Sequence, residues 1–182
     1  RVKPEQLASI KLTVTGAEKL PSKLADTFEK NFGKTVFEGY GLTETTPVTN
    51  FNLPDPVPDG DPDRIPALPS HRQGSVGQML PGIAIRITDP DSEAPLPIHQ
   101  AGMLWLKGAN IFEGYLDDKK RTDEVLEDGW FKTGDIARLD EDGFLFIEGR
   151  LSRFSKIGGE MVPHEVVEDH VTRALGLESE AE

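Results

Sequence analysis

Along the first 50 residues the apolar positions switch between two periods. Residues 11–15, Lys-Leu-Thr-Val-Thr, alternate as a short strand closed by Gly16. From Pro21 and Ser22 onward, Leu24, Ala25, Phe28 and Phe32 recur at helical spacing, and Gly33 supplies the stop. Thr35, Val36 and Phe37 read as a second strand that runs into a Gly39-Tyr40-Gly41 loop. A strand–helix–strand unit of this kind belongs at the edge of an α/β sheet, where strand ends leave loops for ligands. Prolines at 54, 56, 58, 62, 66 and 69, mixed with Asp55, Asp59, Asp61 and Asp63, then exclude helix and central strand and predict an exposed loop. Beyond it the texture changes. Strand-like runs at residues 83–87, 103–106 and 144–147 are punctuated by Gly82, Gly102, Gly108, Gly143 and Gly149, the pattern of a small β-barrel or sandwich. Residues 163–175 predict a closing helix, with Pro163 near its first position, Val166, Val167, Val171 and Ala174 inward, and Gly176 as stop. The acidic residues 177–182 are expected to fray.

Composition narrows the classes of function. Acidic side chains outnumber basic ones, 32 against 20, for a formal net charge of −12. That balance argues against a nucleic-acid partner or a polybasic membrane patch, both of which need a basic face. With no cysteine, disulfides, thiolate zinc sites and cysteine nucleophiles are ruled out in this chain. No apolar run approaches the ~18 residues of a membrane-spanning helix. At 182 residues the chain makes one domain or a little more, and its start at Arg1 reads as a piece of a longer protein.

Three stretches carry candidate chemistry. In Tyr40-Gly41-Leu42-Thr43-Glu44, the glycines let the backbone approach a ligand, Tyr40 offers a flat face, Thr43 a hydroxyl and Glu44 a hard oxygen for Mg²⁺. A glycine-rich turn with a solvated glutamate explains the spacing slightly better. Asp135, just past Gly134, is placed to accept hydrogen bonds from vicinal ribose hydroxyls, or else caps its own turn, the commoner fate of Gly-Asp. Arg150 is a permanent forked donor that can bridge ribose and phosphate, and Gly158-Gly159 offers a narrow passage for a slim substrate arm; a basic interdomain linker is the plainer alternative, and the two readings are compatible. Other signals fail. His164 and His170 are six apart rather than four, which excludes a zincin helix, and the His164 to Asp169 spacing of glycerolipid acyltransferases stands here without their other blocks. Asp59, Asp61 and Asp63 do not continue into a calcium loop, Gly74-Ser75-Val76-Gly77 is one residue short of a nucleophile elbow, and no Walker sequence occurs.

In order along the chain, Gly16-Ala17-Glu18, residues 38–44, residues 74–77, Leu80-Pro81-Gly82, Gly114-Tyr115, residues 129–135 and Gly149-Arg150 through Pro163 and Glu165 resemble the adenylate-forming superfamily of acyl-CoA synthetases, peptide-synthetase adenylation domains and luciferases. Each block alone is weak; their order carries the resemblance. Within the superfamily, residues 153–162 most resemble the acyl-[acyl-carrier-protein] synthetase module of 2-acylglycerophosphoethanolamine acyltransferases.

The resemblance implies an α/β plus β fold: the edge of an α/β sheet, a small distorted β-barrel, then the start of a small α+β lid domain. Residues 1–149 would be the C-terminal part of the large AMP-binding domain, with an α/β portion at 1–50, a Pro/Asp-rich loop at 51–73 and a β-rich portion at 74–149. Residues 150–182 would be the hinge and truncated start of the small domain. The implied reaction uses ATP and Mg²⁺ to activate a fatty carboxylate as acyl-AMP, then transfers the acyl group to CoA or to the phosphopantetheine of acyl carrier protein. Gly16, Ala17 and Glu18 would wall the adenine and Tyr40 would stack on it, with Glu38, Gly39 and Gly41 completing the nucleotide-binding loop. Thr43 would contact phosphate, Glu44 hold Mg²⁺, and Asp135 and Arg150 bind ribose. Ser152 falls at the hinge position, where the family usually has Asp or Lys, and Lys156, Gly158 and Gly159 belong to the loop facing the site in the thioester step. Self-association through the truncated C-terminal helix, a cytoplasmic location and an inner-membrane association of the parent are further implications. A non-catalytic module binding nucleotide or a carrier protein is the competing class.

The chain contains neither the family's upstream Ser/Thr/Gly-rich phosphate loop nor its late catalytic lysine; after Lys156 the only Lys or Arg is Arg173. The 182-residue chain alone is therefore expected to give no ATP–pyrophosphate exchange with a panel of fatty acids. Clear exchange by the pure chain would overturn that expectation.

Overall fold

The structure, a computed structural model, describes residues 2–56, 69–157 and 160–176. Most of the Pro/Asp-rich loop (57–68), Gly158, Gly159 and the acidic tail (177–182) lie outside the described residues.

The chain folds as an α/β unit followed by β structure. Strand β1 (Thr13–Thr15) leads to helix α1 (Ser22–Phe32) and strand β2 (Val36–Tyr40), which returns parallel to β1 with Val14 opposite Phe37. Helix α1 ends where the sequence predicts: Gly33 takes a left-handed φ of 62° and its amide donates to the Glu29 carbonyl at 2.7 Å. Two short strands, β3 (Asn50–Phe51) and β4 (Gln78–Met79), complete a four-stranded sheet in the order β1-β2-β3-β4.

The second sheet has five strands: β5 (Ala84–Thr88), β6 (Gly102–Lys107), β7 (Leu126–Glu127), β8 (Trp130–Leu139) and β9 (Leu145–Arg150), with helix α2 (Lys119–Val125) preceding β7. Its pairings are all antiparallel, with β8 flanked by β6 on one edge and by β7 and β9 on the other. Register shifts interrupt β6–β8 between Met103 and Trp105, and β8–β9 between Ile136 and Ala137; bulges of this kind bend a sheet. Met103-Leu104-Trp105-Leu106 is an unbroken apolar run because both faces of β6 are covered. Leu104 and Leu106 join Ile87, Ala137 and Leu145 in one cluster. Met103, Trp105 and Ile136 form another, against which Trp130, Leu151 and Phe154 pack.

A seam joins the sheets. The Val76 amide donates to the Leu145 carbonyl (2.8 Å), and the Leu145 amide donates to the Gly77 carbonyl (3.0 Å). Beside the seam, Arg72 binds Asp140 and Asp142, while the Asp140 carboxylate accepts from the Asp142 and Phe144 amides. The hairpin turn at 140–143 is thereby tied to the segment leading into β4. After β9, a 3-10 turn (Leu151–Arg153) leads to the hairpin β10 (Phe154–Ile157) and β11 (Glu160–Pro163), then helix α3 (His164–Ala174).

Three expectations need correction. Glu38, Gly39 and Tyr40 belong to β2, which Gly39 continues by pairing with Phe51, rather than to a loop after Phe37. Thr133-Gly134-Asp135 lies inside the ten-residue strand β8 rather than at a turn. Pro163 is the N-cap of α3, not its first residue, and Val166, Val167 and Val171 are about half exposed rather than inward. The expected α/β plus β architecture stands: among the described residues the distorted barrel portion is one curled, half-barrel antiparallel sheet.

Burial pushes the Asp140 carboxyl up, but the Phe144 amide and the Arg72 guanidinium more than offset it and hold the group below the usual aspartate range. A carboxyl with a depressed folded-state pKa stabilises the fold above its unfolded value, near 3.9, and that contribution fades as pH falls further. Asp140→Asn should therefore flatten the acid branch of the thermal-midpoint profile below about pH 4 while lowering the midpoint at neutral pH. An unchanged acid branch would remove Asp140 as the cause.

Candidate functional site

The C-terminal end of β2 meets the β8–β9 ladder at one buried carboxylate. Asp135 and Arg150 are cross-strand partners, so their side chains project together, and Arg150 Nε lies 2.8 Å from Asp135 Oδ1. From the other sheet, the Tyr40 hydroxyl donates a short hydrogen bond to Asp135 Oδ2. Thr133 braces the group from below: its hydroxyl donates to the Leu104 carbonyl (2.9 Å) and accepts from the Asp135 amide (3.0 Å). Gly134 between them has a φ of 78°, a conformation that favours glycine and that strand β8 needs at this point.

Electrostatics follow from burial. Asp135 is 3% exposed, and burial pushes its carboxyl above the usual aspartate range; Tyr40 and Arg150 pull it back without cancelling the effect. Burial, then the charge of Asp135 and the hydrogen bond to it, drive the Tyr40 phenol far up, so that it stays protonated and remains a donor.

This cluster borders a cavity of about 480 Å³, within the range of small-molecule pockets. Of the residues expected from sequence, Ala17, Glu18, Glu38, Gly39, Tyr40, Gly41, Asp135 and Arg150 line it. Gly16 and Thr43 line an adjoining cavity of about 520 Å³ that shares the edge formed by Ala17 and residues 39–42. Glu38 also accepts from the Leu20 amide (3.0 Å), which holds the 16–20 loop against β2. Gly41 is obligatory: a Cβ there would stand 1.6 Å from the Pro47 carbonyl oxygen.

The remaining expected residues are placed otherwise. Glu44 lines neither cavity; it sits in the 3-10 turn Thr43–Thr45, and its Oε1 accepts from the Tyr115 hydroxyl at 2.7 Å. Among the described residues no group of three or more carboxylates or imidazoles forms a metal cage. A lone carboxylate fits Mg²⁺ drawing its other oxygens from phosphates and water. Ser152 is exposed in the Leu151–Arg153 turn, and Lys156 is in β10 opposite Met161. Sequence reasoning missed Lys19, Glu148, Arg153 and Phe154 as cavity-lining residues and Tyr115 as the partner of Glu44. Lys19 and Glu148 adjoin motif residues Glu18 and Gly149 and were findable by adjacency; the Tyr115 contact spans 71 positions and had no local signal.

A cleft between the end of a parallel strand pair and an antiparallel sheet, with the buried Asp135 held between Tyr40 and the exposed Arg150, is set in a fold shared with solved adenylate-forming enzymes. Residues 1–116 match the AMP-binding enzyme family, and the chain belongs to it. It is 34% identical over 173 residues to a long-chain-fatty-acid–CoA ligase of Yersinia pestis, covering 94% of this chain and 28% of that protein. A 4-coumarate–CoA ligase-like protein of Oryza sativa subsp. japonica is 34% identical over 163 residues, 88% of this chain and 27% of the relative. The crystal structure of ATP-bound MatB from Rhodopseudomonas palustris superposes with a TM-score of 0.75 at 32% identity, over 93% of this chain and 31% of that one. The chain thus spans less than a third of the length of these relatives.

Removing the phenol O–H should expose what it contributes. Tyr40→Phe should raise the Asp135 pKa further, because a hydrogen bond that favours the charged form is lost, and should cost about 1–3 kcal/mol of stability. Carboxyl ¹³C NMR titration and urea unfolding measure the two effects. An unmoved Asp135 titration would show that the contact is not made in solution.

Proposed function

We propose that the chain is the nucleotide-facing part of an ATP-dependent acid–thiol ligase that activates a long-chain fatty carboxylate and passes the acyl group to a phosphopantetheine thiol, of CoA or of acyl carrier protein. The observation that carries this reading is the Asp135–Arg150–Tyr40 cluster beside the 16–20 loop, which offers a flat aromatic side chain, a buried acceptor and a forked cation at the edge of one cavity. In the first step a carboxylate oxygen bonds to the α-phosphorus of ATP as the α–β phosphoanhydride breaks and pyrophosphate leaves. In the second, the thiol sulfur bonds to the acyl carbon, the thiol proton is lost, and AMP departs.

Each group has a physical task in that scheme. Tyr40 provides the stacking surface for adenine, with Ala17 and Glu18 as wall and residues 38–41 as the close backbone edge. Asp135 accepts from ribose hydroxyls with lone pairs that Tyr40 and Arg150 do not use, and Arg150 spans ribose and phosphate. Thr43 donates to phosphate, and Glu44 holds Mg²⁺. Mg²⁺ would neutralise charge on the phosphates and orient them. Fatty substrates are supported by the adjoining cavity, where Val14, Leu42, Pro47, Val48 and Phe51 supply an apolar wall next to Thr43. Ser152 is read as the pivot between residues 1–149 and the segment 150–182, and Lys156, Gly158 and Gly159 as the edge along which the pantetheine arm enters. The half-exposed stripe Val166, Val167 and Val171 supports packing of α3 on the rest of the small domain or on a second copy. A cytoplasmic site of action follows from the proposed substrates, and no helix among the described residues is long and apolar enough to cross a membrane.

AMP binding followed by isothermal titration calorimetry tests the reading. Asp135→Asn keeps the shape and removes the charge, and should weaken AMP by about 2 kcal/mol, roughly 30-fold. In the full-length protein the same change should raise KM for ATP in ATP–pyrophosphate exchange, whereas Glu44→Gln should raise the Mg²⁺ requirement. AMP affinity indifferent to Asp135→Asn would remove the ribose role and, with it, the reading of this cavity as the nucleotide site.

A further inference from the structure

Tyr115 lies in the loop between β6 and α2, outside every nucleotide-contacting role assigned above, yet its hydroxyl donates to Glu44 Oε1 at 2.7 Å. Its ring is fixed on several sides. Phe112 stands edge-on to it at 4.9 Å, and Phe112 in turn packs edge-on to Phe131 of β8 at 5.5 Å. The Arg121 guanidinium sits over the other part of the ring, 4.3 Å from its centroid. The backbone is held too: the Tyr115 amide donates to the Thr122 hydroxyl (2.9 Å), which itself donates to the Asp118 carbonyl (2.9 Å). Tyr115 is therefore anchored to both β8 and α2.

The turn that carries Glu44 is clasped by the same loop. The Phe112 amide donates to the Glu44 carbonyl (2.9 Å), the Asn110 side-chain amide donates to the Thr45 carbonyl (2.7 Å), and the Thr46 hydroxyl donates to the Asn110 carbonyl (2.6 Å). Backbone and side chain of Glu44 are thus both positioned by residues 110–115. A half-buried glutamate without that partner would sample more χ rotamers, and ordering it would cost free energy each time a cation bound.

We infer that Tyr115 is a positioning residue for Glu44: it holds one carboxylate oxygen through its hydroxyl so that the other is presented to a divalent cation carried by the nucleotide phosphates. The inference rests on the assignment of Glu44 as the Mg²⁺ holder. Outer hydrogen bonds of this kind typically change metal affinity 10- to 100-fold when removed. The reach of the constraint extends to α2, because Arg121 and Thr122 fix the ring and backbone that fix the carboxylate.

Tyr115→Phe in the full-length protein removes the hydroxyl and keeps the ring contacts with Phe112 and Arg121. Mn²⁺ serves as the probe, its affinity measured by electron paramagnetic resonance in the presence of saturating ATP. Metal-free AMP affinity and the thermal midpoint are measured alongside, and Glu44→Gln is the reference variant. The expected result is a loss of Mn²⁺ affinity of about tenfold in Tyr115→Phe, smaller than in Glu44→Gln, with AMP affinity and thermal midpoint unchanged. Parent-like Mn²⁺ affinity in Tyr115→Phe beside a loss in Glu44→Gln overturns the positioning role and leaves the metal assignment standing. Parent-like affinity in both variants overturns the metal assignment and the inference with it. A loss of AMP affinity as large as the loss of Mn²⁺ affinity, or a Tyr115→Phe protein already unfolding at the assay temperature, overturns it as well, by reducing Tyr115 to a packing residue.

Discussion

A carboxylate placed out of water between two sheets must be paired on both oxygens, and that requirement organises the molecule. Asp135 takes one partner, Tyr40, from the mixed α/β sheet and the other, Arg150, from its neighbour in the antiparallel sheet. Either contact alone would leave a buried charged oxygen short of a donor, a costly state. The pair of contacts fixes how the end of β2 faces the β8–β9 ladder, and the 480 Å³ cavity opens along that junction. The same group that joins the sheets also lines that cavity.

Elsewhere, side chains stand in for secondary structure that is too short to do the job. Strands β3 and β4 have two residues each, and Asn52 extends their reach: its side-chain amide donates to the Ser75 carbonyl (2.7 Å) and its Oδ1 accepts from the Arg72 amide (3.0 Å). Arg72 then closes the hairpin turn after β8 through Asp140 and Asp142 and lies 4.7 Å over the Phe144 ring. Buried polar groups that are fully paired in this way hold one register where a few ladder hydrogen bonds would not. The 110–115 loop does the equivalent for the turn at Glu44.

The segment after Arg150 is less constrained. Leu151 and Phe154 pack on the Met103–Trp105–Ile136 cluster, and Arg153 pairs with Glu168 of α3 at 3.1 Å. Both members of that ion pair are more than half exposed, where such pairs contribute little. The hydrophobic contacts therefore dominate, and they involve the turn and first residue of β10 rather than the helix.

Much of this was legible from local pattern. The alternation at 11–15, the helical spacing of Ala25, Phe28 and Phe32 and the stop at Gly33 determine β1 and α1, because each depends on residues within one or two turns. The apolar run at 103–106 marks a strand, and the ordered motifs mark Tyr40, Asp135 and Arg150 as residues of interest. Tertiary structure alone decided what those residues do to one another. Gly39 and Gly134 read as loop breakers, yet both lie within strands, since pairing to Phe51 and to the β6 and β9 ladders outweighs their weak strand preference. The Tyr40–Asp135 contact spans 95 positions and Glu44–Tyr115 spans 71, so no local spacing encodes either one. Side-chain periodicity reports which face of an element is buried; which distant polar group completes a buried carboxylate is settled only when the two sheets close on each other.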